Sequence, residues 1–431
     1  MSMLNNRFSR ALAITKMVTK LGLEQVKSGN LQSRVEQAKI LVESLSQLKG
    51  AAMKAGQLLS LDLEDYFPPE AIQILSQLQN NIIDVPKIDI KKTLSDAFGK
   101  EKFAQLSHLG TKPFAAASMG QVYKAHLKIN ETETPVAFKV LYPGVAESVS
   151  SDVALLKKAV WAFCVITGRE MDLDPVFAEI ESVLKTEVDY VQEKSSSIAF
   201  QKLFSQNNWK HLEIKTPHVY ENFSNHNILC TSFEEGKTLK EWIDTKPSLE
   251  KKEKVALSLL ELYTCEFFKW GFVQTDPNPA NFLIRDKDKL EIIALDFGAS
   301  KTYSYEFRKA YIDLIKKIRT GTNADVIKSA IEFGLVDPRE SEETLEIFVR
   351  LLKHGMKPVN ESKKFQFSDS TFMKENAAIA RELLQKLKYS APPHQLLFLH
   401  RKLGGVYGIL KKLSVEIDVH EFWNAIDENL N

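Results

Sequence analysis

The chain has 431 residues, 44% of them hydrophobic, enough for two or three lobes with a real core. Basic and acidic residues nearly balance, 57 against 56, so no global field favours an anionic membrane, and no nucleic-acid partner is expected. The three cysteines, Cys164, Cys230 and Cys265, are far apart and form no C-x-x-C pair, which argues against a disulfide framework or a zinc site and for a reducing compartment.

Taken in chain order, the first 23 residues carry Arg7, Arg10, Lys16 and Lys20 with no acid, and Leu4, Phe8, Ala11, Ile14, Val18 and Leu21 recur at helical spacing. A transit peptide or a membrane-surface helix has this pattern, and so does an ordinary packed helix. Arg7 inside the apolar stripe favours the packed helix. Residues 1 to about 105 are helical by period: Ala38, Leu41, Leu45, Leu48, Ala52, Ala55 and Leu59 keep 3-4 spacing until Pro68-Pro69 stop it. From about 106 the period shortens. GQVYKAHL (120–127) and PVAFKVLY (135–142) read as strands of a hairpin joined by the polar INETET. A helical stretch from about 145 to 206 follows, then short strands near 219–223 and 227–233. After Gly236 the chain is mostly helical, interrupted by a second hairpin, ANFLIRDKDKLEIIALDFG (280–298), with its turn at Asp286–Lys289. The apolar run AVWAFCVITG (159–168) is ten residues long and reads as a buried helix, whereas a span needs roughly 20. QLLFLHRKLGGVYGILKKL (395–413) is interrupted by charges. The organisation expected is a helical extension over 1–105, a sheet-bearing lobe over 106–235 and a mainly helical lobe over 236–431, the lobes meeting near Glu234–Lys237.

The stretch QTDPNPANFLI (274–284) sets a carboxylate and an amide five apart on a loop too rich in proline to be a helix. Asp276 and Asn281 precede one strand of the second hairpin, and Asp296 closes the other in IIALDFG, so three oxygen-bearing side chains converge on one end of a two-stranded unit. Hard oxygen donors suit Mg²⁺ with phosphate oxygens completing its shell. Phosphoryl transfer needs a carboxylate to orient the nucleophile, an amide and a second carboxylate to hold metal, and a lysine on the nucleotide phosphates. The kinase catalytic loop spaces these as D-x-x-x-x-N followed by D-F-G on the next strand, and D276-P-N-P-A-N281 with D296-F-G298 reproduces both. The lysine belongs upstream on a strand, and VAFK supplies Lys139.

On these motifs the chain resembles the UbiB/ADCK family of atypical, protein-kinase-like proteins over roughly residues 50–300. The family's K-x-G-Q signature is matched by Lys54-Ala55-Gly56-Gln57, its alanine-rich replacement for the kinase glycine loop by Ala115-Ala116-Ala117-Ser118, and its E-x-D motif by Glu187-Val188-Asp189. By the same pattern Glu193 corresponds to the helix-C glutamate that pairs with Lys139. Two departures stand out, Gln274 where the family usually has His, and Ala280 where it usually has Gly; neither removes a proposed ligand or base.

The resemblance implies an α+β, bilobal protein-kinase-like fold with an α-helical N-terminal extension, binding ATP or ADP with Mg²⁺ at the lobe junction. Lys139 would hold the α/β-phosphates, Glu193 would fix Lys139, Asn281 and Asp296 would ligate Mg²⁺, and Asp276 would orient the nucleophile. The alanine loop, 115–118, would cover the phosphates with altered geometry, since alanine restricts the backbone freedom glycine gives. The segment bearing Lys54, Gly56 and Gln57 would regulate by packing where a peptide substrate docks, Lys54 reaching Glu187 or Asp189. The activity implied is ATPase or unorthodox phosphotransfer, with trans protein-kinase activity not expected, in support of isoprenoid-quinone (coenzyme Q) or lipid metabolism. A lipid or quinone-precursor ligand and a peripheral membrane or biosynthetic-complex contact go with it. Alternatives are a small-molecule phosphotransferase of the aminoglycoside/choline-kinase type and a non-catalytic nucleotide-gated scaffold. A cytoplasmic protein, soluble or peripheral to a membrane, is expected, with organellar targeting by the basic N-terminus left open.

Overall fold

The computed structural model describes residues 88–117, 119–166, 174–276, 278–360, 364–390 and 394–420. The segment with Lys54, Gly56 and Gln57, the basic N-terminal stretch and Ser118 lie outside the described residues. The chain divides into two compact units, one taking the residues up to Ser195 and His218–Phe233, the other Ser196–Pro217 and Glu234 onward.

The first unit opens with α1 (Ile90–Phe103), whose N-cap is the Asp89 carboxylate accepting from the Lys92 N–H. Then come β1 (Leu106–Ser107), β2 (Ala115–Ala117), β3 (Gly120–Ile129), β4 (Thr132–Leu141), α2 (Val145–Ile166), α3 (Asp174–Glu187) and α4 (Tyr190–Gln206). After β5 (Ile214–Lys215), which belongs to the second unit, β6 (Ile228–Ser232) completes an antiparallel sheet in the order β1-β3-β4-β6, with β2 pairing β3. Side chains alternate between the faces of a strand. Tyr123, Ala125 and Leu127 of β3 and Val136, Phe138 and Val140 of β4 therefore bury together against Ile90 and Leu94 of α1, with Phe223 and Cys230. Lys139 is out of phase with that set and projects from the opposite face.

The β3–β4 hairpin is longer than the alternation alone indicates. Its strands pair from Gly120↔Leu141 to Ile129↔Thr132, which leaves only Asn130 and Glu131 as the turn. Both have positive φ, 48° and 65°. That is the geometry of a two-residue turn whose twist matches the flanking strands, so INETET is mostly strand. VYENF is not a strand: Val219 makes a single bridge to Thr231, and Glu221–Phe223 form a 3₁₀ turn. The apolar run at 159–168 falls largely on α2, where Val160 is buried but Trp161 is 60% exposed. A helix packed on one side keeps an outward face, so apolar content alone did not make the run buried all round.

The second unit is mainly helical. It continues with β7 (Lys237–Thr238), α5 (Leu239–Asp244), α6 (Leu249–Thr264), a π-helical turn at Cys265–Trp270, and β8 (Phe272–Gln274). A 3₁₀ turn at Pro279–Asn281 leads into β9 (Phe282–Asp286) and β10 (Leu290–Ala294), followed by β11 (Ser300–Thr302). There follow α7 (Tyr305–Thr320), α8 (Asn323–Glu332), α9 (Glu342–Gly355) and a single helical turn at Lys357–Asn360, then β12 (Phe365–Gln366), α10 (Ser370–Lys386), α11 (His394–Leu413) and β13 (Glu416–Ile417). Thr238, Ser248, Ser304, Thr322, Ser341 and Asp369 each accept from a first-turn N–H, so six of these helices start at residues whose side chains satisfy an otherwise orphaned donor. One small sheet runs β5-β10-β9-β7, and β11 pairs β8. The core gathers Phe200, Trp242, Phe267, Ile292, Phe297, Leu396 and Leu399 among others. Among the described residues no helix is long and apolar enough to cross a membrane.

Candidate functional site

In the first unit, the alternation that buries Phe138 and Val140 turns Lys139 toward the start of α4. Its Nζ lies 2.7 Å from Glu193 Oε1 and 2.9 Å from Oε2. Glu193 sits in the first turn of α4, where a carboxylate meets the positive end of the helix dipole, and its side chain is only 4% exposed. The Lys139 ammonium also stands 5.2 Å from the centroid of the Tyr190 ring, within cation–π range. Tyr190 was not anticipated; as the first residue of α4, one turn before Glu193, it carried only its position as a signal.

Glu187 and Asp189 do not share a helix. Glu187 is the last residue of α3, and Asp189 lies between α3 and α4, where its carboxylate accepts from the Gln192 N–H at 2.9 Å. Asp189 is thus the N-cap of the helix that delivers Glu193. The alanines expected as a loop form a paired strand: Ala115↔Val122, Ala116↔Gln121 and Ala117↔Gly120. Alanine accepts extended φ/ψ without strain, and pairing with β3 supplies the hydrogen bonds that a glycine loop would leave to a ligand. Ala115 and Ala116 are exposed.

In the second unit, β8 ends at Gln274 and the chain enters the proline-rich loop. Thr275 is tied down twice, its N–H and its hydroxyl both donating to the Ala299 carbonyl, at 2.8 and 2.7 Å. Asn278 caps the 3₁₀ turn by accepting from the Ala280 N–H at 3.0 Å, with Pro279 at its first position. That tight turn folds the loop back on itself, which answers the spacing: Asn281 Nδ2 donates to Asp276 Oδ2 at 2.8 Å. β9 and β10 pair from Ala294↔Phe282 onward, and the Leu295 N–H donates to the Asn281 carbonyl at 2.9 Å. Asp296 therefore emerges beside Asn281 at the same end of the hairpin. Its Oδ1 accepts from the Gly298 N–H at 3.0 Å, and Phe297 anchors the turn by stacking on Phe200 at 4.6 Å.

Two buried charges under this loop were not anticipated. Lys402 of α11 pairs with Glu266 of the π-helical turn at 3.1 Å and donates to Gln274 Oε1 at 3.2 Å. Burial pushes the Glu266 carboxyl above its ordinary range, against the pull of Lys402 and of the Gln274 N–H. A lysine in a charge-interrupted helix gives no local sign that it is buried.

A strand lysine held by a helix glutamate, and an Asp/Asn loop leading into a hairpin closed by Asp-Phe-Gly, are the parts of a kinase-like protein. The sequence pattern described as the ABC1 atypical kinase-like domain matches residues 77–330, more than half of the chain, and the chain belongs to that family. It is similar to atypical kinase coq-8, mitochondrial, of Caenorhabditis elegans, with 30% identity over 392 residues, 90% of this chain and 50% of that one. It is also similar to atypical kinase COQ8, mitochondrial, of Saccharomyces cerevisiae, with 27% identity over 388 residues, 90% of this chain and 75% of that one. The chain thus spans half the length of the nematode relative. A solved structure, the complex of Rv3197 with erythromycin from Mycobacterium tuberculosis, aligns with TM-score 0.59 at 22% identity over 89% of this chain and 93% of that one. The fold is kinase-like.

Proposed function

We propose that the chain is an atypical kinase or ATPase that binds ATP or ADP with a divalent cation and serves isoprenoid-quinone (coenzyme Q) or lipid metabolism. The observation that carries the reading is the meeting of Asp276, Asn281 and Asp296 at one end of the β9–β10 hairpin, the Asp276–Asn281 contact being 2.8 Å. The donor set consists of two carboxylates and an amide with no soft ligand, which fits Mg²⁺. A bound cation of this kind would neutralise developing charge on the phosphates. Asn281 and Asp296 would hold it. Asp276, oriented by the Asn281 amide, would align the nucleophile, and Lys139, held in place by Glu193, would bind the nucleotide phosphates. The mitochondrial atypical kinases to which the chain is similar support the metabolic assignment. A lipid or quinone-precursor ligand and peripheral contact with a membrane or a biosynthetic complex belong to the same proposal.

The test is thermal shift with ADP or ATP, with and without Mg²⁺. Stabilisation of about 3 kcal/mol is expected at a hundredfold excess over Kd, and it should require the metal. Persistence of the shift in both Asp296→Asn and Lys139→Ala would refute the site.

A further inference from the structure

Lys402 lies 128 residues beyond Gln274, yet its ammonium touches that side chain and Glu266 together. All three groups are nearly excluded from solvent: Lys402 is 3%, Glu266 1% and Gln274 4% exposed. A buried ion pair is a poor device for stability alone, because apolar residues of similar volume usually serve as well or better. This pair is directed at one residue. The Lys402 ammonium holds the Gln274 side chain while it pairs with the Glu266 carboxylate. Glu266 and Gln274 stand on either side of the bend at Gly271, whose φ of 64° reverses the chain between the π-helical turn and β8. The Lys402 stem meanwhile lines an apolar pocket with Leu259, Leu262, Val406, Ile409 and Phe282, the residue directly after Asn281.

We propose that Lys402, paired with Glu266, is a positioning residue that sets where the Thr275–Asn281 loop begins, and so where Asp276 stands, by fixing Gln274. This rests on the phosphoryl-transfer reading of that loop. Thr275 is pinned to Ala299 from the other side, so the approach to Asp276 is clamped at two consecutive residues. A misplacement on the order of 1 Å in such a loop lowers turnover about a hundredfold while leaving ground-state binding largely intact.

The full-length chain decides it, with two variants. Gln274→Leu removes the acceptor but keeps the ion pair. The double variant Lys402→Met/Glu266→Leu removes both charges together, so that no lone charge is left buried to unfold the protein. Three quantities are read in each: Mg-ADP affinity, ATP turnover at saturation, and amide hydrogen exchange at Thr275 and Leu295 against Ile293 of β10. The expected result is affinity within about twofold of wild type, turnover down at least about tenfold, and exchange faster at Thr275 and Leu295 but not at Ile293. A folded double variant with wild-type turnover and wild-type exchange at Thr275 would make the pair plain core and overturn the proposal. If the wild type itself turns over no ATP, the functional reading fails, and the exchange at Thr275 alone still decides whether Lys402 anchors the loop.

Discussion

Gly120 shows how one side chain's absence lets β3 close against β4. It opens β3 opposite Leu141, and a Cβ built there would come 2.2 Å from the Val140 carbonyl oxygen. Backbone cannot retreat the way a flexible side-chain tip can, so Gly120→Ala must force β2 and β3 away from β4. A loss of about 2–3 kcal/mol is expected, at the upper end for overpacking, and urea unfolding followed by far-UV dichroism measures it. A variant within 0.5 kcal/mol of wild type, on the order of ordinary surface substitutions, would mean the strands open without cost there. The contrast with Lys139 is instructive. Strand period alone puts Lys139 on the face opposite Phe138, whereas the demand on Gly120 comes from β4, a partner 21 positions away that no local pattern encodes.

Among the elements, the β9–β10 hairpin that carries Asn281 and Asp296 is held to the helices before it by Asp286. Its carboxylate accepts from Lys251 of α6 at 2.7 Å and from the Trp242 indole N–H of α5 at 3.1 Å. The Lys251 hydrogen bond is the main reason that the Asp286 pKa lies below its ordinary value of 3.8, burial opposing it and Trp242 assisting. A carboxylate with a depressed folded pKa stabilises above its unfolded pKa and loses that contribution as pH falls through the folded one. Asp286→Asn should therefore cost about 1 kcal/mol at pH 7, discounted because the Lys251 side chain is 46% exposed, and the gap to wild type should shrink at a pH below the ordinary carboxylate value of 3.8. Urea titrations at both pH values test this, and an equal gap at each would show that Trp242 packing, not charge, is what Asp286 serves. The hairpin itself was legible from its apolar strands and charged turn. The 3₁₀ turn that brings Asn281 onto Asp276 followed from Pro279 only in hindsight, because X-Pro chemistry marks a turn without naming which side chains it will join.

At the scale of the whole molecule, strand alternation was readable because it is a local solution to a local backbone need. The buried Lys402–Glu266 pair was not, since a lysine's burial depends on what α11 packs against rather than on its neighbours in sequence. Lys54 poses the same problem from the other direction. It lies outside the described residues, and the role proposed for it rests on sequence alone: Lys54 and Gln57 are three apart, a spacing that would share one face if the segment is helical, and Ala51, Ala52, Ala55 and Gly56 are small enough for close approach. Asp189 is committed to capping α4, which makes Glu187 at the end of α3 the acid we propose for Lys54. If that segment covers the place where a peptide would dock, wild type should bind Mg-nucleotide yet phosphorylate generic peptides no faster than background. Lys54→Ala should then alter nucleotide affinity about fivefold or more, close to 1 kcal/mol of coupling from a residue outside the proposed nucleotide ligands. Calorimetric ADP titrations of wild type, Lys54→Ala and Glu187→Gln, with a double-mutant cycle between the two positions, measure it. Additive effects in that cycle, or brisk peptide phosphorylation by the wild type, would reduce the Lys54 segment to an ordinary packed helix.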